Sequence, residues 1–371
     1  MMQIDHVHFY VADAQQWQDW FVRVLGFHPV SWERTPDHVS AVVQSHAICC
    51  RLSSPIADTS PVADYLRRHP AGVADVAFRV SDLTPIVQRA NRIGAKLLEP
   101  VRVIERQGCL WQTACIQGWG DLRHTLVAPY ADSLDSDSWI DESDEFAAHS
   151  PTTNGDSSAQ AALDLLAIDH IVLNVGAGDL EAAVDWYDTL FGFQPQQSFA
   201  IRTERSALCS RVMTNGAVQF PINEPASDRS QIQEFLDLNR GAGIQHIALR
   251  CHQIVPTVAQ LRNRGLGFLA VPQEYYRQLQ QRPGFRMSHT EQLAIAEQEI
   301  LVDWQPSTPQ ALLLQTFTQP IFDQPTFFFE IIERRSGWIN QEYRLAQGFG
   351  EGNFRALFEA IEREQIKRGS L

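Results

Sequence analysis

Apolar and polar residues follow two rhythms along this chain, and the rhythms alternate in a fixed order. From Ile4, the string IDHVHFYVADAQQWQDWFVRVLGF opens as an apolar run, passes into an amphipathic segment and closes on a Gly-Phe pair. A strand turns successive side chains to opposite faces, and a helix repeats every 3.6 residues, so this order predicts a strand followed by a helix. The same order returns from Ile168, 164 residues later, as IDHIVLNVGAGDLEAAVDWYDTLFGF. A second pair, GVADVAFRVSDLTPIVQRANRIGA from Gly72 and GIQHIALRCHQIVPTVAQLRNRGLG from Gly243, repeats it again, with glycines as helix stops. Strand-rich segments follow each helix: HVSAVVQSHAICCRL, CLWQTACIQGW, ALCSRVMTNGAVQFPI and ALLLQTFTQPIF. The chain therefore reads as four βαβββ modules paired into two tandem α+β domains.

The pattern lapses once. Residues 131–162 are rich in Asp, Ser and Thr with few large apolar side chains, which suits a solvated acidic connector. The expected division is a first domain over 1–130, a linker over 131–165 and a second domain over 166–371. Near the end, GFGEGNF leads into a partial apolar stripe at Leu357, Phe358, Ile361 and Ile366, and Gly369 follows the basic pair Lys367-Arg368. That predicts a C-terminal helix with a glycine-rich hinge before it and a glycine stop after it.

With 371 residues the chain suits two cores rather than one. Its formal charge of −14 argues against nucleic acid and against an anionic membrane face. No apolar stretch approaches the roughly 20 residues that cross a bilayer, and the first residues lack a secretory pattern. The six cysteines have no CxxC spacing and sit mostly in apolar runs, so they read as free thiols in a reducing, cytoplasmic setting.

Three apolar runs in the second half each hold one ionisable residue: His170 in AIDHIVLNV, His246 in GIQHIALRC and Glu330 in PTFFFEIIER. A charge on a buried strand is costly unless paired or bound to a metal. Two imidazoles and one carboxylate form the ligand set of a non-haem ferrous site, which leaves positions open for substrate and dioxygen. The plainer alternative makes the histidines core residues and pairs Glu330 with Arg334 or Arg335. In the first half the corresponding positions read as His6, Asp75 and His124, for which a structural role is expected, a vestigial metal site being the alternative. One feature resists the strand pattern: Gln245 precedes His246, and alternation would turn the two to opposite faces.

The strings FPINEPA (220–226), SQIQEFLDLNRGAGIQHIALRC (230–251), TFFFEIIERR (326–335) and GFGEGNFRALFEAIE (348–362) carry a resemblance. In this order and spacing they resemble the 4-hydroxyphenylpyruvate dioxygenase family of the vicinal oxygen chelate superfamily, over nearly the whole chain. The resemblance implies an open, half-barrel sheet in each domain and one Fe(II) per chain on His170, His246 and Glu330. It implies pocket roles for Ser210, Asn223, Gln231, Gln245 and Gln315, a wall residue at Pro221, aromatic walls at Phe317 and Phe328, and a C-terminal gate at Phe349, Asn353 and Phe354. The departures, the acidic linker and the SDRS loop before Gln231, lie outside the motif residues. The implied partners are a small aromatic 2-oxo acid and dioxygen, with homo-oligomers (dimer or tetramer) expected. The implied reaction turns 4-hydroxyphenylpyruvate and dioxygen into homogentisate and carbon dioxide. The alternatives are 4-hydroxymandelate synthesis on the same scaffold, or a metal-free small-molecule-binding protein.

Overall fold

The structure, a computed structural model, describes residues 2–106, 108–130, 163–203, 206–227, 230–339 and 342–369. All but the last three residues of the expected acidic linker lie outside the described residues.

Four βαβββ modules are present. The first comprises β1 (Gln3–Tyr10), α1 (Ala14–Arg23), β2 (His28–Arg34), β3 (His38–Ser45) and β4 (Ile48–Pro55). After α2 (Pro61–Arg68) comes the second, with β5 (Gly72–Arg79), α3 (Thr84–Ile93), β6 (Leu97–Arg106), β7 (Cys109–Gln117) and β8 (Arg123–Pro129). The third holds β9 (Leu165–Asn174), α4 (Leu180–Phe191), β10 (Gln194–Arg202), β11 (Ala207–Asn215) and β12 (Val218–Pro225). After α5 (Gln231–Asn239), the fourth runs through β13 (Gly243–Cys251), α6 (Ile254–Asn263), the added helices α7 (Gln273–Leu279) and α8 (His289–Glu297), then β14 (Leu301–Asp303), β15 (Leu313–Phe317) and β16 (Phe328–Arg334). A hairpin of β17 (Ser336–Ile339) and β18 (Glu342–Leu345) precedes the closing helix α9 (Glu351–Arg368).

Each half forms one eight-stranded sheet. The strand orders are β2-β3-β4-β1-β5-β8-β7-β6 and β10-β11-β12-β9-β13-β16-β15-β14. The first strands of paired modules therefore meet antiparallel at the sheet centre, β1 on β5 and β9 on β13. In the second half α5 packs on β9, β12 and β13 and against α9. A strand covered on both faces needs apolar residues at nearly every position. That is why β9 and β13 read as continuous apolar runs, and why a polar residue in either is informative.

The two halves share one hydrophobic core. Phe9 and Phe21 of the first half meet Phe327 and Phe329 of the second edge to face, at centroid separations of 5.3 and 6.1 Å. A polar clamp lies beside that core. The buried His124 ring bonds the Val76 carbonyl through Nδ1 (2.9 Å) and the Tyr187 hydroxyl of α4 through Nε2 (2.9 Å). Because a carbonyl can only accept, Nδ1 carries the proton and Nε2 accepts from Tyr187.

Burial pushes the His124 pKa down from 6.5 to about 4, against a smaller opposing pull from the Val76 hydrogen bond and Asp75. The sign follows from linkage. The unfolded chain binds this proton first, so the clamp contributes fully above pH 6.5 and its contribution is lost as pH falls toward 4. At about 1.4 kcal/mol per pH unit, moving from pH 7 to pH 5 should cost about 2 kcal/mol through this residue. Urea unfolding at the two pH values should show that loss in the parent and a correspondingly smaller one in His124→Gln. Equal losses in both proteins would place the titration elsewhere.

Candidate metal centre

Register explains how residues far apart in sequence meet. Ala248 of β13 lies opposite His170 of β9 on one side and Glu330 of β16 on the other. The methyl group between them leaves space for the two longer side chains to converge above it. His246 stands two residues earlier on β13, on the same face. His170 Nε2 lies 3.2 Å and His246 Nε2 3.6 Å from Glu330 Oε2. One ligand atom from each of the three falls within 4.8 Å of the others, and all three residues are buried. Among the described residues this is the one group of three or more such side chains gathered this closely. Glu330 therefore does not pair with an arginine. Arg334 goes to Asp169 and Arg335 to Glu333 and Glu291.

Two of the three register shifts between β9 and β13 lie beside the ligands. Between Leu249↔Ile168 and Ala248↔His170, Asp169 is the extra residue of β9; between Ile244↔Leu173 and His246↔Val172, Gln245 is the extra residue of β13. A bulge re-aims side chains locally. The bulge at Gln245 interrupts the regular alternation of β13 immediately before His246.

The surrounding hydrogen bonds hold the three side chains in place. His170 Nδ1 donates to Asp169 Oδ1 at 3.0 Å, leaving the Nε2 lone pair directed at the centre. Asp169 is gripped by Arg334, whose Nε and Nη2 reach its two oxygens at 2.7 and 2.6 Å. Glu330 Oε1 accepts from Gln315 Nε2 at 2.8 Å, and Gln315 Oε1 accepts from Asn353 Nδ2 at 2.8 Å. The Tyr275 hydroxyl donates to Asn353 Oδ1 at 3.2 Å, extending the chain of bonds to α7. A carboxylate that orients a ligating imidazole, and an amide that orients a ligating carboxylate, are the usual supports of a bound cation.

The electrostatics agree. Burial works against a proton on His170, but Glu330 and then Asp169 outweigh it and raise its pKa to about 9. Burial, then the neighbouring His170, holds His246 well below its ordinary value. Burial would raise the Asp169 pKa, yet Arg334 and His170 keep it below the usual carboxylate range. A field that favours one positive charge between two imidazoles and a carboxylate favours a metal cation at the same place. His246 Nδ1 has no partner and its ring stacks on Phe328 at 4.8 Å. This imidazole makes no hydrogen bond that would explain its burial, and ligation through Nε2 would. The residues fit a divalent cation of the N/O class.

The remaining expected residues line the same half. Phe349 stands edge-on to His170 at 5.1 Å, and Phe317 lies 6.3 Å from Phe328. Asn353 and Phe354 lie in α9, with Phe354 against Phe199. Gly350 precedes α9 with φ of +65°, and a Cβ there would fall 2.5 Å from Gln315 Oε1, so only glycine fits. Ser210 and Asn223 are cross-strand partners on β11 and β12, with Pro221 two residues before Asn223, and Gln231 opens α5. Ser210 Oγ, Asn223 Oδ1 and Gln231 Oε1 are buried without a hydrogen-bond partner.

Sequence reasoning missed Asp169, Arg334 and Tyr275 as supports. The repeated Ile-Asp-His string was the available signal for the first, since Asp5 likewise bonds His6 in the opposite half. One expectation needs correction. Asp75 pairs with Arg123, and Phe78 with Leu126, so the first-half counterpart of Glu330 is Thr125 rather than His124. Thr125 donates to Asp75 through Oγ1, while His124 turns to Tyr187. His6, Asp75 and His124 are not brought together as a metal-ligand group.

Comparison with known proteins accords with this geometry. The glyoxalase/bleomycin resistance protein/dioxygenase superfamily matches twice, over residues 5–110 and 167–282. A 4-hydroxyphenylpyruvate dioxygenase of Yarrowia lipolytica is 35% identical over 99% of this chain and 93% of its own. An uncharacterized protein of Synechocystis sp. is 35% identical over 97% of both chains. A solved variant of 4-hydroxymandelate synthase from Streptomyces coelicolor superposes with a TM-score of 0.79 at 27% identity, over 98% of each chain.

Proposed function

Because the chain belongs to the 4-hydroxyphenylpyruvate dioxygenase family of the vicinal oxygen chelate superfamily, and is thereby a dioxygenase of that superfamily, we propose that it converts 4-hydroxyphenylpyruvate and dioxygen into homogentisate and carbon dioxide with one Fe(II) per chain. The observation that carries this reading is the convergence of His170, His246 and Glu330 in a buried site. His170, His246 and Glu330 would hold ferrous iron there, which would supply a Lewis-acidic centre for the 2-oxo acid to chelate and for dioxygen to be activated.

The protein's own part is to position and to exclude. Asp169 and Arg334 fix the His170 ring, and Gln315 fixes the Glu330 carboxylate. Phe317, Phe328 and Phe349 offer flat apolar walls for the substrate ring near the ligands. Ser210, Asn223, Gln231 and Gln245 would hold the phenol end, and the unpartnered atoms on the first three support that role. The triad is only 1–3% exposed, so substrate entry needs a movement, for which the Gly348–Gly350 segment and α9, carrying Asn353 and Phe354, would serve as the gate. Closure afterward would keep water from the reaction.

The first half would serve structure and assembly into a dimer or tetramer. No helix among the described residues is long and apolar enough to cross a membrane, and the six free cysteines suit a reducing cytoplasm.

Oxygen uptake and product analysis test the proposal. Protein loaded with Fe(II) under argon, then given 4-hydroxyphenylpyruvate and air, should release homogentisate and carbon dioxide in equal amounts. Formation of 4-hydroxymandelate would assign the synthase reaction, which the structural match to that synthase keeps in view. Substrate binding with no oxygen uptake in metal-loaded protein would point to a binding protein.

A further inference from the structure

Two cross-strand rows run over the pocket face of the second sheet, next to the metal ligands. One is apolar: Val212 of β11 pairs with Pro221 of β12, two residues before Asn223, and Val172 stands two residues before Asn174 on β9. The next is polar: Ser210 pairs with Asn223, and Asn223 with Asn174. Along β9 itself the same face presents His170, Val172 and Asn174 in turn. The sheet thus orders a metal ligand, an apolar row and a polar row along one direction. An aromatic 2-oxo acid has the same order: chelating head, ring, para hydroxyl.

Asn174 is fully buried, in a strand otherwise occupied by Ile, Val and Leu at its C-terminal end. Its Oδ1 accepts from Asn223 Nδ2 at 3.3 Å, but its Nδ2 has no partner. Asn223 Oδ1 is likewise without one. The pair therefore leaves one free donor and one free acceptor side by side. A buried unsatisfied amide is costly and calls for a partner that the folded chain does not supply. A phenol hydroxyl is complementary to both free atoms, because it donates one hydrogen bond and accepts another.

We infer that Asn174 is a further substrate-contacting residue: its Nδ2 donates to the ring hydroxyl oxygen, that hydroxyl donates to Asn223 Oδ1, and the residue thereby helps select para-hydroxylated over unsubstituted substrates. This rests on the function proposed above for the same site. A site built to bond a hydroxyl discriminates against analogues that lack it, because its polar groups are then left unpaired.

The test compares 4-hydroxyphenylpyruvate with phenylpyruvate. Anaerobic calorimetric titration of metal-loaded protein gives Kd for each, and oxygen uptake gives kcat/KM. In Asn174→Leu, which keeps the branched shape but removes the donor together with the acceptor for Asn223 Nδ2, Kd for the hydroxylated acid should rise about tenfold, as for one buried hydrogen bond. Kd for phenylpyruvate should change less than about twofold, since no bond to it is lost. Asn174→Ser, a smaller change with a hydroxyl donor, should fall between parent and leucine variant and guards against a folding defect. Parent protein that binds the hydroxylated acid, with variants that keep its full selectivity, would overturn the role of Asn174 alone and leave a buried water as the amide's partner. Parent protein that does not bind the hydroxylated acid at all would overturn both this inference and the functional reading beneath it.

Discussion

His246→Ala is expected to lower oxygen uptake with 4-hydroxyphenylpyruvate at least about a thousandfold, equivalent to roughly 4 kcal/mol of transition-state stabilisation. Removing one of the three side chains proposed to hold the cation would loosen it and open its coordination to water. His246 is a cleaner probe than His170, whose ring is bonded to Asp169 and through it to Arg334. His246 Nδ1 bonds nothing, so its loss strands no polar partner on that side. The ring does fill space against Phe328, and its deletion should cost about 2–4 kcal/mol as a cavity. His246→Phe keeps a flat aromatic ring, somewhat larger, without a ligand atom and separates the two effects: it should recover much of the stability and none of the activity. The checks are an oxygen electrode, metal content after gel filtration, and urea unfolding. An alanine variant with parental turnover and parental metal content would remove His246 from the ligand set.

What the chain discloses by inspection is set by which forces act locally. The strand-helix order and the 164-residue repeat are visible because burial imposes periods on short stretches of sequence. The same burial makes His170, His246 and Glu330 conspicuous among apolar neighbours. Register is different, since it depends on how strands slide past one another. The two bulges, at Asp169 and Gln245, leave no mark in the residue pattern. Counting along an ideal strand therefore overlooks the interruption at Gln245, and in the first half it selects His124 where pairing selects Thr125. Long-range hydrogen bonds are harder still. Nothing near Tyr275 announces that its hydroxyl meets Asn353 of α9, and Asn174 is a single polar residue in an apolar strand until its orphaned amide is seen beside Asn223.

The Arg334–Asp169 pair should be the costliest contact to break short of the ligands themselves. Both side chains are at most 5% exposed, and two parallel hydrogen bonds join them. Arg334→Met would remove the guanidinium and leave the Asp169 carboxylate in the core with only His170 beside it. Stranding a buried charge in this way costs about 3–5 kcal/mol, which urea unfolding at pH 7 would measure. The loss should shrink on acidification. In the parent, Asp169 has a folded pKa below the ordinary 3.8, so the pair contributes fully above that value and its contribution fades as pH falls further. In the variant the carboxyl lacks its main cation, so burial raises its pKa and protonation relieves the strain on acidification. Asp169→Asn combined with Arg334→Met should therefore be more stable than Arg334→Met alone, because no charge remains to be stranded. Arg334 also donates to the carbonyls of Gly348 and Ala346, at 2.8 and 3.2 Å. The single variant should thus bind Fe(II) or Co(II) about 10–100-fold more weakly, the usual effect of losing an outer support, and the backbone amides around Gly348 should exchange faster with deuterium. An Arg334→Met protein with parental stability and parental metal affinity would show that His170 holds its orientation without this clamp.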